Sequence, residues 1–467
     1  VEWSNQQKLK SKTNYTEILG ENASGYFLVR SKNADLAKEV LIEKYRSNLG
    51  LENTVELDQP YNSFIEKIIV QDDGLLVFAS KRNDSLPKID IICWKLNNQL
   101  GKQSTAKIVT QVDAGLFKNN GTISIEISDD RKSYCAFYCT DGMEKNTSIL
   151  NIVGLDIAAN VTYSKTFSVP ASPDIVTTTR VICDNNSNAY VLLHYPITSL
   201  RKHKESDNYF LYAYYRQLDK TLEYAIRDDS TYINTVDMVL NHTTNQITVA
   251  GLYNYQNNNY VTGTFMYTIN IESTLMQTKS YEPLRPAFVN KVLTGMITQG
   301  AKQLSDLRIR KLIARTDGGV TFVTEKVYET RQTYTYYANG FPQTASRVTY
   351  NYDEIVVLSN NANGKTEFND YIKKSQTSLN DGGYYSSFVL LNTNDKLSFI
   401  YNSSSGEDGD VMITNINPLG QVDTRILIKS LSYYVQLMPL ESKQINNSST
   451  LICTLKDRRF TLMKLTY

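Results

Sequence analysis

The sequence predicts an all-β fold of the β-propeller type, and three observations carry that expectation. Apolar residues alternate with period two in short runs separated by Asn, Asp and Gly. The composition is strand-like, with Tyr 33 and Phe 15 against Pro 10, the aromatic-rich mix that pleated surfaces favour. The runs also recur in a fixed order, and repetition lets a chain of 467 residues grow without one oversized core.

Each unit reads as a first strand, a tight turn, a second strand, a longer loop, a third strand and a fourth strand. The first-to-second turns are legible at 70–80 (VQDDGLLVFAS), 128–138, 183–193, 241–252, 315–325 and 392–402. Asp, Asn and Gly in these slots supply the positive-φ and side-chain-bonded conformations of tight hairpins. Third-to-fourth passages occupy 40–57, 89–108, 149–167, 209–226, 262–281, 354–372 and 410–428. At the end of the chain, 434–440, 449–455 and 459–467 give three strands and stop. The fourth is VEWSNQQKL at 1–9, which is similar to KTEFNDYIKKS at 365–375. Residues 1–9 are therefore expected to pair with 459–467, latching a ring that has no open edge. The count is eight four-stranded blades of roughly 58 residues in a single domain over 1–467. Seven blades with a separate terminal hairpin, or two stacked sandwiches, are the alternatives.

Two insertions depart from the repeat. In 286–307, Phe288, Val292, Leu293, Met296 and Ile297 fall at helical spacing and predict a short amphipathic helix between the fifth and sixth blades. In 328–352 a hairpin arm is expected around Asn339-Gly340, extending the loop between the second and third strands of the sixth blade. The arm carries Tyr328, Tyr334, Tyr336, Tyr337, Phe341, Tyr350 and Tyr352, together with Arg331 and Arg347. Tyrosines at this density mark a contact surface, because they bury large area at small entropic cost. The other reading packs the arm back onto the propeller. On the first reading Arg331, Tyr334, Tyr336, Tyr337, Phe341, Arg347 and Tyr350 are the partner-binding residues.

Motifs for catalysis or for a metal do not emerge. His194, His203 and His242 lie in different blades or loops, and nothing in the sequence brings two together for a ligand set or a triad. The pairs Asp72-Asp73, Asp129-Asp130 and Asp228-Asp229 are candidates for glycoside chemistry, which needs two carboxyl groups, although turns favour Asp for backbone reasons alone. Glu407, Asp408 and Asp410 lack the spacing of an EF-type calcium loop. Arg201-Lys202-His203-Lys204 is followed by acids and reads as a solvated loop. Phosphate- and dinucleotide-binding glycine motifs are missing, so no cofactor is expected. Among Cys93, Cys135, Cys139, Cys183 and Cys453, neighbours Cys135 and Cys139 sit roughly 13 Å apart in a strand, too far to bond. The cysteines read as small buried hydrophobes, with a cross-blade disulfide as the alternative.

Charge is balanced, Lys+Arg 49 against Asp+Glu 48, so no global field attracts nucleic acid. No apolar stretch approaches the roughly 20 residues of a membrane-spanning helix, and no membrane insertion is expected. The opening Val1-Glu2-Trp3, without Met, suggests a mature product of export.

Three segments, 306–337, 350–390 and 395–402, resemble a family of exported Bacteroidota β-propeller-like proteins of largely unknown function. The resemblance implies a periplasmic or cell-surface location. Under it, Asp84-Ser85-Leu86 and Asp229-Ser230-Thr231 resemble the O-glycosylation acceptors of that phylum, at Ser85 and Ser230. It also implies association with the type IX secretion translocon, as a periplasmic plug or accessory subunit bound to an outer-membrane barrel. The expected function is thus a non-catalytic module that binds a protein or occludes a channel. A propeller that binds or cleaves glycans is the alternative.

Overall fold

The structure is a computed structural model. It describes all residues except 10–14, 35, 37–38, 61–62, 114–122, 198–205, 229, 296–301, 339–340, 407–408 and 430–434. Asn339-Gly340, the basic loop at 201–204, Asp229, Glu407 and Asp408 thus lie outside the described residues.

The period-two runs form eight antiparallel sheets, seven built from consecutive strands and the eighth from the last three strands with the N-terminal residues. Blade 1 is Tyr15–Asn22, Gly25–Ser31, Leu41–Tyr45 and Leu51–Glu56, and blade 2 spans Ser63–Gln71 to Lys107–Asp113 in the same order. Blades 3 to 7 repeat the pattern, so the predicted turn and strand passages hold throughout. Position within the blade explains each strand's composition. Second strands such as Gly25–Ser31 are buried along their whole length, because neighbouring blades cover both faces. Outer strands such as Leu51–Glu56 and Val161–Val169 alternate and face solvent on one side.

The core is divided among eight apolar clusters, one for each seam between adjacent blades. The seam that closes the circle packs Ile18, Tyr26, Leu28 and Tyr45 of blade 1 against Leu451, Cys453, Phe460 and Leu462 of blade 8. Eight seams on eight blades define a closed ring, which excludes a seven-bladed ring and stacked sandwiches. The N-terminus is the latch. Glu2 pairs with Lys464, Trp3 with Met463, Gln7 with Phe460 and Lys8 with Arg459. Between these two short pieces Ser4 bridges the gap: its N–H donates to the Leu462 carbonyl, and its Oγ accepts from the Leu462 N–H, both at 2.9 Å.

Two boundaries differ from the sequence expectation. The first strand of blade 8 is Lys443–Asn446, not 434–440. Pro439, which has no N–H for a ladder, opens a 3₁₀ turn at Pro439–Glu441; just before it Leu437 keeps a single bridge to Thr454, with Leu437 facing the 7–8 seam and Met438 the 8–1 seam. The helix is Pro286–Gly295, with Pro at its first position and Phe288 and Val292 buried. It does not reach 307: Ser305 bridges Tyr260, Asp306 is left-handed, and Leu307 already belongs to the first strand of blade 6, Leu307–Ala314.

First strands contact one another around the ring and line its axis. In six blades they carry a bulge, for example between Ile65 and Lys67 and between Thr178 and Arg180. In an antiparallel blade, the second-to-third loop and the connection to the next blade share one face. The arm, the helix and the 380–388 connection therefore occupy one face of the disc, and the short Asx turns the other.

Candidate partner-binding arm and the cavities at its base

The arm is a continuation of the blade 6 strands Val320–Ala338 and Phe341–Asn360. Their ladder is interrupted between Glu325 and Val327, opposite Asp353 and Glu354, and then runs without a break from Val327↔Tyr352 to Ala338↔Phe341. An irregularity of this kind re-aims a strand pair, and here it separates blade from arm. Twelve paired positions extend the ribbon by roughly 40 Å.

The root is rigid. The Glu325 carboxylate, fully buried, lies 2.6 Å from Arg310 and 2.9 Å from Lys374 and accepts from Ser387 Oγ at 2.7 Å. Lys374 also donates to the Tyr352 carbonyl at 2.7 Å and to Gln376 Oε1 at 2.8 Å. Burial pushes the Lys374 ammonium below its usual range, while Glu325 opposes the shift. A fifth strand, Gln376–Leu379, pairs with 349–352 and braces one side. Gly383, at φ 76°, is required there because a Cβ would sit 2.3 Å from the Tyr352 ring.

Beyond the root the arm stands in solvent, while Tyr352 at its base is buried. Tyr337 is 76% exposed, Phe341 70%, Tyr334 51% and Tyr336 47%; Arg331 and Arg347 are exposed and Tyr350 half-buried. The register divides these residues between the two faces of the ribbon. Directly paired residues share a face, so Tyr334, Tyr336, Phe341 and Arg347 lie on one side. Arg331, Tyr337 and Tyr350 lie on the other. Tyr334 and Tyr336 have ring centroids 6.3 Å apart. Among the described residues, no strand pairs with the outer edge of 327–338 or of 341–347. The edge at 332–338 (QTYTYYA) has no charge and no Pro, the usual devices against strand addition.

Two cavities flank the base on the same face. One, of about 530 Å³, lies between Arg347 and Thr349 of the arm and Ser405, Gln436 and Lys456 of blades 7 and 8. The other, of about 570 Å³, sits at the 8–1 seam beneath Asp381–Gly382 and is lined by Tyr15, Glu17, Tyr384, Glu441 and Lys443. Tyr15 donates to Glu17 at 2.9 Å. Burial drives the Glu441 carboxyl up to about 8 against the opposing pull of Arg30 and Thr16, and its Oε2 is buried without a hydrogen bond. Burial lowers Lys443, with Glu17 and Glu126 opposing. Sequence reading missed this cluster, since its members start different strands and meet only on ring closure.

On the first strands, charged residues change sign from blade to blade in the order Lys443, Glu17, Lys67, Glu126, Arg180, Asp237 and Lys311. Lys67–Glu126 and Arg180–Asp237 are each 3.6 Å ion pairs.

The remaining sequence candidates are dispersed. Asp73 pairs with Lys95 at 2.6 Å, and Asp129 with His242 at 2.6 Å on the tight-turn face. His194 packs on Tyr209 with centroids 4.7 Å apart. Ser85 and Ser230 are both exposed, each with its N–H donating to a neighbouring Asn83 or Asp228 side chain at 3.0 Å. Among the described residues, no group of three or more His, Cys, Asp or Glu could hold a metal ion, and no helix is long and apolar enough to cross a membrane.

Fold and site together define an eight-bladed β-propeller with a projecting β-arm on its loop-rich face. No family model matches the chain, and no curated protein does. Solved structures similar to it include acylaminoacyl peptidase of Pyrococcus horikoshii, at 11% identity and TM-score 0.39 over 98% of this chain and 60% of that one. The chain thus spans about 60% of that peptidase. Another is the β-propeller domain of the Trilobed protease from Pyrococcus furiosus, at 10% identity and TM-score 0.37 over 88% and 95%. A third is Chaetomium thermophilum Sqt1 bound to the N-terminus of ribosomal protein L10, at 9% identity and TM-score 0.44 over 99% of both chains.

Proposed function

We propose that the protein is a non-catalytic binding module that holds another polypeptide through the arm. The observation that supports this most is the 332–338 edge: unpaired, uncharged, rich in Tyr and Thr, and mounted on a rigid ionic root. Such an edge accepts an extended strand of a partner through main-chain hydrogen bonds, while Tyr334, Tyr336 and Phe341 clamp side chains from one face. The resemblance to exported Bacteroidota proteins makes an outer-membrane barrel of the type IX translocon the first partner to test, with the propeller as its periplasmic plug.

The test is recovery of tagged full-length protein from its native envelope, beside a variant lacking 330–349 and a Tyr334→Lys/Tyr336→Lys variant. The expected result is a stoichiometric barrel partner with the full chain and at least a tenfold loss with either variant. Recovery of the full chain alone, with release of sugar from polysaccharide, would overturn this reading in favour of a glycan-active propeller.

A further inference from the structure

Cys135 lies in the second strand of blade 3, Ser133–Asp141, and Cys183 ends the first strand of blade 4, Thr177–Cys183. Their sulfurs approach to 2.9 Å across the seam, well inside van der Waals contact and towards the covalent distance of about 2.05 Å. Neither thiol has a competing strong partner. Cys135 Sγ is 3.2 Å from the Tyr163 hydroxyl, and Cys183 Sγ is 3.7 Å from Ser133 Oγ. The backbones are fixed at both ends: Cys135 pairs with Glu126 and Gly154, and Cys183 with Ala189 beside the Asp184 turn. We propose that Cys135 and Cys183 are a modification site, joined by a disulfide that staples blade 3 to blade 4.

The oxidant is a dithiol–disulfide reagent, either a small one such as glutathione disulfide or a protein oxidoreductase. One cysteine thiolate attacks the oxidant's disulfide and forms a mixed disulfide, releasing one oxidant thiolate. The second cysteine attacks the mixed bond and expels the other. The oxidant takes up the electron pair, and its two sulfurs finish with the two cysteine protons.

The seam dictates when this happens. Gly154, opposite Cys135, leaves room for the Tyr163 ring, whose hydroxyl donates to the Ser187 carbonyl at 2.9 Å. Tyr214 lies on Tyr163 at 4.7 Å. Cys135 and Cys183 are both buried, and burial raises the Cys135 thiol well above the usual range, starving it of thiolate. Exchange is therefore slow once blade 4 has closed on blade 3, in either direction. The bond forms during folding, and afterwards resists reductant until the protein unfolds. Cys139 shares the strand, yet lies roughly 13 Å along it from Cys135.

The test uses the full chain refolded with glutathione and glutathione disulfide, then unfolded in guanidinium with N-ethylmaleimide and digested. A peptide carrying Cys135 linked to one carrying Cys183 is expected, with Cys93 and Cys453 alkylated. Trypsin leaves Cys135 and Cys139 on one peptide, so the link must persist in Cys139→Ser and vanish in Cys135→Ser. If Cys135→Ser does not fold, fragmentation of the linked wild-type peptide assigns the sulfur. The oxidised wild type should also unfold several degrees above the same chain refolded in dithiothreitol. Five alkylated cysteines after oxidative refolding, or a link through Cys139, would overturn the proposal.

Discussion

Glu441 closes a 3₁₀ turn beside Thr16, Arg30 and Tyr384, and its carboxyl is pushed up to about 8 because burial penalises the charge more than Arg30 and Thr16 relieve it. The ordinary value for a glutamate is about 4.5, so between these two pH values the folded chain holds a proton that the unfolded chain has lost. The stabilisation attached to that proton is complete below about 4.5 and drains away as pH rises through 8. Each pKa unit corresponds to about 1.4 kcal/mol at full effect. Glu441→Gln keeps the neutral shape and removes the titration. The variant should match the wild type near pH 5 and unfold at a higher temperature than it at pH 9. Parallel melting midpoints across pH 5–9 would show that the group is solvated. Nothing in the sequence marks this residue: Glu441 and Glu17 stand more than four hundred positions apart, and the 8–1 seam alone makes them neighbours. The Asp pairs that were visible are held by nearby groups instead, as Asp73 is by Lys95.

At the scale of elements, local chemistry was legible wherever it decided the conformation. Asx turns fixed the hairpins: Asn188 N–H donates to Asp184 Oδ1 at 2.8 Å, and Gly319 N–H to Asp317 Oδ1 at 3.0 Å. The arm's existence and its hairpin followed from length and alternation. Its division into two faces did not, because that depends on register, and a shift of one residue exchanges the faces. The brace Gln376–Leu379 was also illegible, since its pairing is with the arm and not with the blade. Among the described residues, none from 328 to 347 belongs to a seam cluster. Deletion of 330–349 should therefore change global stability by less than about 1 kcal/mol, while keeping the Tyr352–Lys374 anchor. Denaturant unfolding of the deletion variant measures this. A loss of several kcal/mol would mean that the ribbon supports blade 6, and its tyrosines would then be packing residues.

For the whole molecule, repetition made blade number and register readable, because each blade restates the same alternation. Blade 8 was the exception. Its first strand is short and polar, and the apolar run ahead of it keeps one bridge, Leu437 to Thr454, while Val435, Leu437 and Met438 fill two seams. Closure depends on two devices that act in parallel: the 8–1 seam cluster and the N-terminal latch. The latch contributes four ladder pairs, the two Ser4 bonds, Trp3 packed against the 7–8 cluster, and a 2.8 Å bond from Gln7 Nε2 to the Tyr45 hydroxyl in blade 1. At about 1 kcal/mol for each net hydrogen bond, plus the apolar area of Trp3, its loss is worth several kcal/mol. Deleting 1–9 also bares the edge of Arg459–Thr466, a template for pairing with another chain. The truncated chain should melt well below the full one and self-associate on size exclusion. Trp3→Ala, which keeps the ladder, should elute as the full chain does, with a smaller drop in midpoint. A synthetic peptide of residues 1–9 added in excess should raise the truncated protein's midpoint in a concentration-dependent way, since it binds only the closed ring. If truncation leaves both midpoint and elution unchanged, the 8–1 seam alone closes the propeller.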